Sequence, residues 1–107
     1  MGKTSNRTRT FDIGVAMTMT NSIVSCTVNA QLVAQALANP AFVTLHNMSK
    51  TGNDYIHYGS ANAGTANSPH LDPGQSLQLK LLPGEGLFAL SDPTGVQLGV
   101  LIQRYEA

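Results

Sequence analysis

Between Leu77 and Leu81 apolar and polar side chains alternate without a break, with Leu77, Leu79 and Leu81 on one face and Gln78 and Lys80 on the other. A pleated strand sends successive side chains to opposite faces, so this period fits a half-buried strand and no helix. The same grammar recurs in AFVTLHN (41–47), DYIHYG (54–59), LFALS (87–91) and VQLGVLIQRY (96–105). In the last of these, Leu98, Val100 and Ile102 point inward, while Leu101 and Tyr105 point outward. Turn chemistry separates the strands: Asp72-Pro73-Gly74, Pro83-Gly84 and Asp92-Pro93-Thr94-Gly95. Proline presets the first central φ, and Gly74 or Gly84 supplies the positive φ of a type II turn. Short strands punctuated in this way predict an all-β sandwich or barrel.

The N-terminal third has more than one period. Ile13, Val15, Met17 and Met19 face one way, Asn21-Ser22 offers a tight turn, and Val24, Cys26 and Val28 resume the alternation. The expectation for 13–28 is a hairpin or two short strands. In 29–39, Leu32, Val33, Ala36 and Leu37 share a helical face, Asn29 can cap the start and Asn39-Pro40 ends it, so one short helix is predicted. The strands 41–47 and 54–59 flank the polar loop MSKTGN and read as a hairpin. Two regions result: an arm with the first strands over 1–28, and a sandwich domain over 29–107.

Charge is scarce. Only 11% of residues are charged, against roughly 25% in ordinary soluble domains. Lys3, Arg7 and Arg9 give residues 1–10 a charge of +3, and three cations against six acids leave the rest of the chain at −3, for a net zero. A balance this neutral argues against nucleic acid as a partner, because phosphate binding needs clustered Lys and Arg. A freely soluble monomer keeps its net charge away from zero, which points to life in an assembly. The single cysteine, Cys26, cannot close an internal disulfide. Residues 1–10 are not followed by the apolar run of a secretory signal. No apolar stretch nears the ~20 residues of a membrane-spanning helix, and no membrane partner is expected.

Histidines 46, 57 and 70 are the obvious candidates for chemistry. If Asn47 pairs with Asp54, His46 faces Tyr55 and lies diagonal to His57, and a metal site with His70 can be imagined. No carboxylate or cysteine accompanies them at ligand spacing, so the expectation is polar histidines on a solvent- or subunit-facing surface. No Gly-x-Ser-x-Gly elbow is present, and the acids are scattered singly through turns. The expectation is a non-enzyme without metal or cofactor.

Residues 34–102 carry a longer pattern. A short Ala-rich segment leads to a strand ending in Asn47, then Tyr55-Ile56 with Gly59, then Leu71, Pro73, Gly74, Ser76 and Leu77, then Leu87, Phe88, Ala89 and Ser91. This order resembles a small all-β domain recurrent in the virion proteins of tailed bacteriophages, among them capsid decoration (cement) proteins and head fibres. The resemblance covers about two thirds of the chain and rests on strand and turn grammar. It implies a jelly-roll-like sandwich of seven to eight short strands, threefold assembly and no catalysis.

On that resemblance the expected function is capsid decoration on the outer surface of the virion, as a homotrimer that binds the major capsid protein. Lys3, Arg7, Arg9, Phe11 and Ile13 are the expected capsid-binding residues. Leu101, Tyr105, His46, Tyr55 and His57 are the expected oligomer interface. The alternative is a head-fibre, neck or tail component whose loops, especially 59–70, meet host glycans.

Overall fold

The computed structural model describes residues 16–106. Eight strands follow one another: β1 (Ala16–Ser25), β2 (Gln31–Gln35), β3 (Ala41–Asn47), β4 (Tyr55–Gly59), β5 (His70–Leu71), β6 (Ser76–Leu81), β7 (Gly86–Asp92) and β8 (Gln97–Glu106). They form two four-stranded sheets of order β1-β8-β3-β6 and β2-β7-β4-β5, every pairing antiparallel. Alternate residues from the two sheets meet between them: Val43 and Leu45 of β3, Leu98, Val100 and Ile102 of β8, Ile56 of β4, Leu71 of β5, and Leu87 and Ala89 of β7. Fully burying each large side chain contributes about 1.5–3 kcal/mol. Leu77 and Leu79 pack against this cluster and Leu81 is buried in it, so the alternation that defines β6 faces the core.

The turns follow their residues. Gly74 (φ 79°) and Gly84 (φ 84°) occupy the left-handed region that a side chain disfavours. Asp92–Pro93 is a cis peptide, and Gly95 beyond it has φ 98°.

Three local expectations are corrected. No helix forms at 29–39; β2 occupies 31–35 and pairs with β7 across a bulge at Leu32/Ala34. The backbone groups a helix would use internally are taken: Ala36 N–H donates to Glu85 O (2.9 Å), and Leu37 O accepts from Gly84 N–H (3.0 Å). A lone ten-residue helix is marginal in water, and the ladder to β7 wins. Of the expected buried face, Leu32 and Leu37 are exposed, while Ala36 is buried and Val33 packs against the core.

There is likewise no turn at Asn21-Ser22. All ten residues of β1 pair in register with β8, from Ala16↔Glu106 to Ser25↔Gln97. Asn-Ser lacks the glycine of a strong two-residue hairpin turn, and a partner strand of equal length favours continuation.

Strands 41–47 and 54–59 do not form a hairpin, since β3 lies in the first sheet and β4 in the second. Asn47 explains the crossing. Its fully buried side-chain amide donates from Nδ2 to Asp54 O (2.7 Å) and Leu71 O (3.1 Å), while Oδ1 accepts from Ser49 N–H (3.0 Å). One side chain at the end of β3 thus ties the first sheet to β5 and to the approach of β4.

Candidate functional site

Register fixes what the outer face of the first sheet displays. Met19, Asn21 and Ile23 of β1 lie beside Gln103, Leu101 and Gly99 of β8, which lie beside Phe42, Thr44 and His46 of β3. Met19 and Ile23 are each 60% exposed, and Met48, just past β3, is 40% exposed. Gly99 has no side chain, so a groove of about 280 Å³ opens there between Ile23, Leu101, His46 and Met48. A second, more polar dent shares Met48 with it and contains Asp54 and Ser49. The floor is open to substitution. A Cβ on Gly99 would meet only ordinary contacts at 3.6 Å or more, from Met48 Sδ and from His46. At the far end of this face Lys80 Nζ sits 5.9 Å from the Phe42 ring centroid.

His46 Nδ1 lies 2.7 Å from Ser76 Oγ, the spacing of a nucleophile and its base. Both side chains are exposed, and among the described residues the His–carboxylate contact falls on another histidine, His70. The pair therefore reads as a cross-strand polar contact between β3 and β6.

The outer face of the second sheet carries the other two histidines. His57 of β4 pairs with His70 of β5, with ring centroids 5.5 Å apart, and Tyr55 stands 4.8 Å from His70. His70 Nε2 is 3.1 Å from Asp72 Oδ1, a carboxylate two residues further along the chain. His57 is only 7% exposed, which corrects its expected surface position. The 60–69 loop approaches this face: Ser68 O lies 3.5 Å from His57 Nδ1, and Ala63 and Ser68 come close over Gly59. Among the described residues no set of three His, Cys, Asp or Glu is arranged to hold a metal ion.

The expected interface residues therefore divide. Leu101, half-buried, and His46 share the outer face of the first sheet, whereas Tyr55 and His57 belong to the second. Tyr105 pairs with Met17 at the start of β1. The expected capsid-binding residues Lys3, Arg7, Arg9, Phe11 and Ile13 lie outside the described residues. Cys26, just after β1, is fully buried, and burial pushes its thiol up to about 11. It is a packing residue rather than a reactive thiol.

The fold and these surfaces define a small all-β sandwich with an exposed apolar face on one sheet. No protein-family model and no curated protein matches the chain. Among solved structures it is similar to a protein from the work titled "Bacillus endospore appendages form a novel family of disulfide-linked pili", at 11% identity and a TM-score of 0.54, covering 92% of this chain and 96% of that one. At that identity the likeness is one of fold.

Proposed function

We propose that this chain is a non-catalytic structural subunit of a bacteriophage virion: a capsid decoration protein that sits on the outer surface of the shell as a homotrimer and ties neighbouring major capsid subunits together. The observation that carries the reading is the apolar outer face of the first sheet, where Met19, Ile23 and Met48 stand exposed in a chain of zero net charge. Exposed apolar patches of this kind mark association surfaces. The strand order supports the same reading. Two facing four-stranded antiparallel sheets of order β1-β8-β3-β6 and β2-β7-β4-β5 are what a jelly-roll-like subunit would need, an architecture frequent in viral capsid domains. A ligand that binds only the assembled shell stabilises it by mass action, and repeated weak contacts add through avidity. The cations Lys3, Arg7 and Arg9 would meet acidic patches of the shell. No cofactor, nucleic acid or membrane enters this role.

A second reading, a subunit that polymerises into an appendage, draws on the likeness to the pilus protein. Disulfide linking of the kind named in that title is disfavoured here, because the sole cysteine is fully buried. Counting copies by quantitative mass spectrometry of the particle that contains this chain tests the first reading. Decoration requires copies in the hundreds. A dozen or fewer would move the protein to the neck, tail or a fibre, and purified chain that grows into filaments would favour the appendage.

A further inference from the structure

We propose that the groove over Gly99 is the receptor for residues 11–15 of a second copy of this chain, so that each subunit inserts its N-terminal segment into the next. The inference rests on the structural-subunit reading above and names the partner of its apolar face.

Segment and groove match in chemistry, and Ala16, the first described residue after the segment, lies at the opposite end of β1 from the groove. Phe11, Ile13 and Val15 alternate with Asp12 and Gly14, so an extended 11–15 offers an apolar edge with side chains about 6.7 Å apart. The groove is a shallow apolar slot whose floor lacks a side chain at Gly99, with Ile23 and Leu101 along it and Met48 beyond. The segment joins β1 at Ala16, opposite Glu106, whereas the groove lies seven residues further on, where Ile23 pairs with Gly99.

Reach decides between the chain's own segment and another's. Seven strand residues span about 23 Å. Phe11 is five residues from Ala16, and a reversal onto the sheet consumes at least two of them. About 10 Å of extended chain then remains. The apolar part of the segment therefore falls short of the groove in its own molecule, while a neighbour stacked against the groove end brings it within range. Charge favours the same pairing, since a +3 leader meets a body at −3, with Asp54 in the dent beside Met48. Such a contact joins unlike surfaces, so it closes into a ring when the rotation allows and runs on as a filament when it does not.

The test uses two variants of the full chain, each disabling one half of the junction. Gly99→Leu fills the groove on a backbone that accepts a Cβ without close contact. Phe11→Asp with Ile13→Asp spoils the segment, outside every described strand, so it also serves if the first variant folds poorly. Light scattering at micromolar concentration should show the wild type as an oligomer and each variant as an 11.3 kDa monomer that still unfolds in one cooperative, concentration-independent urea transition. Mixing the two variants should restore a one-to-one dimer, because one intact groove and one intact segment remain. A symmetric interface gives no such rescue. A wild-type monomer, or an oligomer that survives the segment variant, overturns the proposal, as does a mixture that stays monomeric. An oligomer that survives both changes leaves the structural-subunit reading standing, and copy number on the particle tests that reading separately.

Discussion

Replacing Asn47 by alanine should cost about 3–5 kcal/mol, a large share of the 5–15 kcal/mol that holds a small domain together. The magnitude follows from what the side chain satisfies. Without it, Asp54 O and Leu71 O lose their donor and Ser49 N–H loses its acceptor. Each orphaned buried group costs about 1–3 kcal/mol. The bond to Leu71 O is buried and stands at the top of that range, while those at Asp54 and Ser49 are part-buried and regain some water. Asn47→Asp sharpens the test. Oδ1 can still accept from Ser49, but the second oxygen then faces two carbonyls in a buried site. The new carboxyl should titrate above the ordinary carboxylate range, because burial and two acceptors favour its protonated form. Its protonated state can donate one of the lost bonds, so the variant is most stable below its unfolded pKa and loses stability as pH rises through the raised folded value. Urea melts of the wild type and both variants at pH 7, with Asn47→Asp repeated near pH 4, measure all of this. An alanine loss below about 1 kcal/mol, within the range of one ordinary hydrogen bond, would refute the view that Asn47 ties the two sheets.

Leu45, fully buried, should lose about 2–5 kcal/mol on change to alanine, and half-buried Leu79 about half as much; equal losses in denaturant would show that Leu79 is buried as deeply as Leu45. Cys26 should resist thiol reagents in the native state, and the fold should lose stability from pH 9.0 as the solution approaches about 11. There the unfolded thiol ionises while the buried one keeps its proton, at about 1.4 kcal/mol per unit, and Cys26→Ala should lack that slope in pH-dependent melts. Deleting residues 1–10 should leave the melting temperature unchanged and lower occupancy on shells, more so at high salt; equal coating by the truncated chain would remove the leader from the contact.

The strands were legible wherever a buried face and a glycine turn coincided, as in β6, β7 and β8 with Gly74 and Gly84. Two competing periods hid β2. Leu32, Val33, Ala36 and Leu37 fit a helical face, yet Leu32 and Leu37 are exposed and Ala34, off that face, is buried, and the bonds of 36–37 to the 84–85 turn come from elsewhere in the chain. Nearness in sequence suggests that β3 pairs with β4, and it cannot disclose a buried asparagine that sends the chain to the other sheet. The two-residue β5 is too short to leave a period at all. The apolar outer face was half visible: Leu101 read as outward, but its meeting with Ile23 and Met48 across Gly99 required the β1–β8–β3 register. His70 and Asp72 stand two residues apart, a spacing that the turn role of Asp72 explains on its own and that therefore carries no signal of their contact.

The central claim is that this sandwich coats a shell from outside. A density map of the particle that contains it, at a resolution sufficient to place an 11.3 kDa body, tests this most directly. The account predicts three such bodies around threefold or quasi-threefold positions over the whole outer surface, each with the first sheet turned towards its neighbour. Density confined to the neck, the tail or the interior, with the outer shell bare, would contradict it.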